Sequence, residues 1–263
     1  MRNILVHFTM FLAGLLWATA PARAQLSPPQ LGYIKDTSAA LRPVYGIPAA
    51  AFLGDPATDA VNAFACTAKL CLAKTDTALL RFSTSDPASA IRTEAPAGAA
   101  VIAVANGTTD GAWIYFDGTQ QFAHWQAGTW SGIDYSPSGA VLSLRATADG
   151  FDYAVVRDPT SGSAWIEHYS TADGSVTVLD SVDTTGSVLL LDSGVLYAAD
   201  GQLILRRADR TQLTFPLADV AALDVAGKGY VEIEAAGGLW ILTTVPGFEQ
   251  LAMLPGTPNG GGR

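Results

Sequence analysis

The chain has 263 residues and a formal net charge of −9, with 49% of residues hydrophobic and 15% charged. Such an acidic balance argues against a partner with a phosphate backbone, so no nucleic acid is expected. The high apolar fraction and the scarcity of charge exclude a disordered chain and leave enough material for one large core.

The first residues read as a leader. Arg2 gives a positive start, residues 4–17 are mostly apolar, and Ala22-Arg23-Ala24 offers small residues at both subsites of a signal peptidase. Residues 1–24 are therefore expected to be a secretory signal peptide cut between Ala24 and Gln25. The apolar run falls short of the about 20 residues of a membrane span, and His7 and Thr9 interrupt it. No cysteine stands directly after the cut, which argues against a lipoprotein anchor, and no later stretch reads as a span, so a secreted or periplasmic location is expected. Residues 25–40, with the breaker "LSPPQ", read as a flexible lead-in.

The two cysteines, Cys66 and Cys71, stand in "AFACTAKLCLA". In an oxidising compartment they are expected to form a disulfide across a hairpin whose turn region is residues 67–70. Neither a redox C-x-x-C nor a zinc site fits the spacing.

From residue 41 onward, short runs of Val, Ile, Leu, Tyr, Trp and Thr alternate with Gly-, Asp-, Ser- and Pro-containing turns. No stretch keeps a helical period, so the chain reads as all-β, with about 20 strands between Val61 and Leu254. Trios of runs recur, beginning at Ala63, Ala100, Ala140, Ser187 and Ala221. A fourth, more variable strand follows each, such as "SVTVLDS", "TQLTFPL" and "FEQLAML". The repeat is about 40 residues long, the size of a four-stranded propeller blade. The expectation is a β-propeller domain over residues 41–256, with about five four-stranded blades; six blades or a pair of β-sandwiches are the alternatives. The surplus run "LRPVYGIPAAAFLG", residues 41–54, is the candidate closing strand, paired with the last blade as an outer edge where Pro43 and Pro48 are tolerated. Residues 257–263 read as a disordered tail.

The stretch "GIDYSPSGAVLSLRA" carries a Ser-Pro-Ser-Gly turn. It resembles the Ser-Pro-Asp-Gly turn of WD40-like and YVTN-like bacterial propellers, where it would form the corner between the inner and second strands of a blade. The run "LRPVYGIPAAAFLG" is similar to the opening of secreted bacterial propeller-like proteins of undefined function. The resemblance implies a fold and a compartment, and no reaction.

Catalytic signatures are sought without result. There is no Gly-x-Ser-x-Gly elbow, His-Glu-x-x-His helix or P-loop, and Ser163 has no nearby base in sequence. His124 and His168 stand far apart and read as surface or interblade polar residues. Acidic turns at Asp149, Asp152, Asp173, Asp180 and Asp183 lack the calcium-loop frame and read as turn chemistry. Carboxylates on or beside strands, Asp134, Asp152, Asp192, Asp224 and Glu232, could meet at a central axis and act on a polysaccharide. Trp113, Tyr115, Trp125, Trp130, Trp165, Tyr169 and Trp240 could line a groove but read as interblade packing. The expected function is a secreted, non-catalytic binding or scaffold propeller that is monomeric, needs no cofactor or metal, has no membrane span, and recognises a protein or carbohydrate. The alternative is an extracellular polysaccharide hydrolase or lyase.

Mass spectrometry of the exported protein should find Gln25, or its cyclised form, as the first residue; a chain that still begins at Met1 would overturn the compartment.

Overall fold

The computed structural model describes residues 28–105, 111–126 and 128–254. The expected leader, its Ala24/Gln25 cleavage site and the tail lie outside these residues.

Among the described residues there are twenty-three strands in six antiparallel sheets. The first sheet holds β1 (Gln30–Lys35), β2 (Leu41–Tyr45) and β3 (Phe52–Leu53). Blade 2 is β4 (Ala63–Cys66), β5 (Leu70–Lys74), β6 (Ala78–Ser83) and β7 (Asp86–Glu94). Blade 3 is β8 (Ala100–Val104), β9 (Gly111–Phe116), β10 (Gln121–Gln126) and β11 (Thr129–Gly132). Blade 4 is β12 (Ala140–Ala146), β13 (Gly150–Val156), β14 (Ala164–Ser170) and β15 (Val176–Val182). Blade 5 is β16 (Val188–Leu191), β17 (Gly194–Ala199), β18 (Gln202–Arg207) and β19 (Gln212–Phe215). Blade 6 is β20 (Ala222–Gly227), β21 (Tyr230–Ala235), β22 (Gly238–Thr243) and β23 (Gln250–Met253). Within each sheet the strands pair in chain order, the meander of a propeller blade.

A four-stranded meander has two faces to bury, and each blade buries them against its neighbours. Six hydrophobic clusters result, one at each interface. Phe122 of blade 3 meets Phe151 and Tyr153 of blade 4, with ring centroids 4.7 and 5.4 Å apart. The same logic closes the circle. Leu31, Ile34 and Val44 of the first sheet join Ala226, Leu239 and Ile241 of blade 6. On the opposite side, Tyr33 and Leu41 join Phe64 and Phe82 of blade 2. Neighbouring strand residues point to opposite faces, so Tyr33 and Ile34 serve different blades.

The fold is thus an all-β propeller with six blades, and the count of about five was too low. The reason lies in the lead-in. Residues 30–35, read as part of a flexible segment, form β1, and Tyr33 and Ile34 within it are fully buried. Residues 41–54 do not add a strand to blade 6. They pair with β1, and Val44, Ala51 and the 3-10 turn Pro48–Ala50 pack against blade 6. Pro43 sits in the middle strand of the sheet rather than at an edge. Gly54 donates its N–H to the Pro43 carbonyl, and the Gly54 carbonyl, which a Pro43 N–H would have served, takes Arg42 Nη1 at 3.1 Å. The Ser136-Pro137-Ser138-Gly139 turn is not a corner within a blade either. It lies between β11 and β12, in the link from the outside of blade 3 to the inside of blade 4.

At the seam, backbones touch. A Cβ on Gly32 would lie 1.9 Å from the Ala226 carbonyl oxygen, and one on Gly227 would lie 2.4 Å from the Leu31 carbonyl oxygen. No side chain fits there, and neither strand can retreat without opening the cluster on its face. Gly32→Ala should therefore lower stability by about 1–3 kcal/mol, the usual cost of overpacking. Deleting residues 25–54 should lower the melting temperature far more than deleting 257–263. Thermal melts of the three variants against the parent check both; a deletion of 25–54 that melts like the parent would make the first sheet an ornament.

Candidate functional site

The inner strands β4, β8, β12, β16 and β20 surround an axial channel of about 1350 Å³. The first sheet reaches it only through Lys35. Each inner strand is hydrogen-bonded to a sheet neighbour on one side only, so its other edge faces the axis or the next blade. Side chains tie some of these edges together. Ser143 Oγ accepts the Leu190 N–H at 2.9 Å, Arg145 Nη1 donates to the Leu191 carbonyl at 2.7 Å, and Ser187 Oγ donates to the Ala221 carbonyl at 3.1 Å. The wall is otherwise mostly small and aliphatic, with Ala65, Ala100, Ile102, Leu142, Val188 and Ala222 among its residues.

Polar side chains enter the wall at several blades, among them Lys69, Arg145 and Asp192, and beside the seam two carboxyls stand together. Asp224 on β20 and Glu232 on β21 are direct cross-strand partners. Asp224 is half-buried at the channel, and Glu232 behind it is buried. Glu232 Oε2 accepts the backbone N–H of Lys35 at 2.9 Å. Burial pushes the Glu232 carboxyl well above the usual carboxylate range, and the neighbouring Asp224 pushes it further. Burial also raises Asp224, against the pull of the Lys35 ammonium. Two carboxyls so close, in one wall, resist carrying two charges at once.

The other carboxylates do not join them. Asp192 sits on the β16–β17 turn at the channel, and Asp134 is exposed on the link between blades 3 and 4. Asp152 is buried inside blade 4, where Oδ2 takes Arg145 Nε at 3.0 Å as well as Nη2, and Oδ1 meets His168 Nδ1 at 2.8 Å. A carboxylate only accepts, so His168 carries its hydrogen on Nδ1 and turns Nε2 toward Asp149, 3.6 Å away. This arrangement locks β12, β13 and β14 together. His124 lies in register with Trp113 across β9 and β10, rings 4.3 Å apart, and burial pulls its pKa down toward the neutral form.

The aromatic residues go to the interfaces. Tyr115 and Trp125 are buried, and Trp113, Trp130, Trp165, Tyr169 and Trp240 pack half-buried against the clusters between blades 2 and 3, 3 and 4, or 5 and 6. The acidic turns share a local motif. Asp36, Asp158, Asp173 and Asp209 each accept both the N–H and the hydroxyl of the Ser or Thr two residues on. Those bonds hold the Asp158 and Asp173 carboxyls below the ordinary range. Cys66 and Cys71 face each other across the first hairpin of blade 2, Cα atoms 4.2 Å apart and sulfurs at disulfide distance, 2.00 Å. Between them the Thr67 N–H donates to the Leu70 carbonyl at 2.8 Å and closes the turn over residues 67–70.

Two polar features had no sequence signal beyond residue type. Lys74 is fully buried and gives its three hydrogens to the carbonyls of Thr75, Asp76 and Gly98, the last on the link to blade 3; burial lowers its pKa. In blade 4 the buried Glu167 accepts from Tyr153 and pairs with Arg157, which lies over the Trp165 ring. The single hydrogen of Tyr153 goes to Glu167, so Tyr135, on the incoming link, donates to Tyr153. Burial raises the Tyr153 pKa, and these bonds raise it further.

No family model matches this sequence, and no curated protein matches it. Among solved structures the chain is similar to PorZ, a bacterial surface component of the type-IX secretion system of Porphyromonas gingivalis. The TM-score is 0.53 at 14% identity, covering 85% of this chain and 31% of that one. Hsv2 of Kluyveromyces lactis follows with a TM-score of 0.46 at 12% identity, over 74% of this chain and 64% of that chain. Glutaminyl cyclase of Myxococcus xanthus has a TM-score of 0.44 at 10% identity, over 74% and 91%. The likeness to PorZ bears on the fold alone, and the chain spans less than a third of PorZ's length.

The blade 4 lock has a measurable consequence. Asp152→Ala strands the Arg145 and His168 donors and should cost about 2 kcal/mol, below the full cost of breaking a buried pair because Arg145 keeps some contact with water. Urea unfolding should show a lower midpoint at unchanged slope; an unshifted midpoint would mean that the lock contributes nothing.

Proposed function

We propose that the chain is a secreted or periplasmic, non-catalytic binding or scaffold module that takes its partner at the axial channel. The observation that carries this reading is the composition of the channel wall. It is broad and largely aliphatic, with free strand edges and polar groups such as Arg145, Asp192 and Asp224 set between them, which is the general character of a binding cavity. The expected disulfide pair and the leader-like first residues support the compartment. A protein segment or a glycan chain suits such a site, since both offer apolar surface together with donors and acceptors for the exposed strand edges.

One observation favours the enzymatic alternative, the Asp224–Glu232 pair at the channel wall. Hydrolysis or elimination on a polysaccharide would need one carboxyl to give a proton while another group acts on the opposite side of the bond. These two carboxyls are neighbours in the same wall, with Glu232 buried behind Asp224.

Capture from the extracellular fraction on the immobilised protein, compared with an Ala222→Phe variant that narrows the channel, tests the reading. The parent should retain a partner that the variant loses while melting at a similar temperature. Equal capture by both would move the site off the channel. Incubation with a panel of polysaccharides should leave them intact; cleavage that Asp224→Asn abolishes would establish the alternative instead.

A further inference from the structure

At the interface between blade 6 and the first sheet like charges stand together, whereas across blades 4 and 5 and across blades 5 and 6 the charged contacts are ion pairs, Arg206 with Asp180 and Arg207 with Glu249. Glu232 is 3% exposed, and it reaches from blade 6 to the backbone of the first sheet at Lys35. Asp224 stands beside Glu232 on the channel side, and Lys35 lines the channel next to both. Glu234, exposed two residues along β21, adds a third negative charge to the surroundings. The remaining neighbours bring no compensation. β22 carries no acid or base, and β4 carries none apart from Cys66, which is paired with Cys71. Tyr33 on β1 turns the other way, donating to the Thr84 carbonyl of blade 2 at 2.8 Å, and Asp36 is occupied by Arg42. The seam therefore holds three carboxyls against one ammonium, in the one place where the ring has no covalent connection between blades.

We propose that this seam is a proton-operated clasp on the channel: with a proton on the Asp224–Glu232 pair the first sheet holds the ring shut, and with both carboxyls ionised it loosens from blade 6 and opens the wall at Lys35. Glu232 links the two states, because its Oε2 is the acceptor for the Lys35 N–H and its partner in charge repulsion is Asp224. Burial supports the direction. A carboxyl raised in the folded protein contributes stability that is fully present below its unfolded-chain value and is lost as pH rises through the raised value. The seam is thus tightest in acid and weakens upward from the ordinary carboxylate range. Each pH unit between the ordinary and the raised value changes the closing equilibrium by about tenfold per titrating group. The clasp does not depend on what the channel binds.

Hydrogen exchange of the full chain at pH 5 and pH 8, corrected for the intrinsic rates, reads it directly. The protection of the Lys35 and Tyr33 amides, taken relative to that of Tyr153 in blade 4, should fall at least tenfold between the two values in the parent. Glu232→Gln keeps an acceptor for the Lys35 N–H and removes the charge, so its ratio should stay level and high. Asp224→Asn, a second variant should the first fail to fold, should flatten the ratio likewise. A parent whose ratio is unchanged between pH 5 and pH 8 would overturn the clasp. So would folded variants that keep the parent's pH dependence.

Discussion

Between Gly32 and Gly227 two backbones lie in contact, with no room for a Cβ on either. A ring of meanders has one junction that the chain does not cross, and without a fitted element that junction opens at the cost of a single interface. The first sheet fills it as a wedge with two apolar faces, Tyr33 and Leu41 toward blade 2, Ile34 and Val44 toward blade 6. The contact of β1 with β20 sets how far the wedge enters. Its depth decides that Lys35 is the one residue of the first sheet at the channel. Blades 2 and 6 come close enough for β4 to lie beside β20 at the axis.

The other junctions rest on a different balance. Between blades 2 and 6 each interface is an apolar cluster, and the two interfaces of blade 5 add polar ties at the inner margin: Ser143 to Leu190 and Arg145 to Leu191 on one side, Ser187 to Ala221 on the other. These ties occupy backbone groups that would otherwise stay unpaired on inner strand edges, which are costly to bury without a partner. Blade 4 is stiffened further by Asp152 and Glu167, each buried and each held by a cation. The channel is therefore bounded by a firm wall at blade 4 and by a charged, hydratable wall at the seam.

Much of this was legible in the sequence. Period-2 runs separated by Gly and Asp turns locate the strands from β4 to β23, and their fourfold grouping is visible because trios of runs recur with a more variable fourth strand after each. Within the first sheet β1 was hidden because the prolines at positions 28 and 29 read as breakers, and because it holds its place by contact with residues almost two hundred positions away. The turn at Ser136 was assigned to the wrong corner for a related reason: the same residue types suit a tight hairpin and a link between blades. Among the acids, strand membership identifies Asp224 and Glu232 as candidates, but their pairing depends on a register with a bulge between Val225 and Gly227. Asp152 and Asp224 look alike in sequence. Only the neighbours brought by folding, Arg145 and His168 in one case and Glu232 in the other, separate a structural ion pair from a protonatable wall.

The placement of β1 can be seen directly in solution. Nuclear Overhauser contacts in the isotope-labelled protein at pH 5 should join β1 to both neighbours at once: the Tyr33 ring to the Phe82 ring of blade 2, whose centroids lie 5.7 Å apart, and the Gly32 α-protons to Ala226 and Gly227 of blade 6. Contacts to both sides are the result a wedge requires. Contacts to one side alone, or to neither, would leave the ring open and contradict the closure on which the channel and its clasp depend.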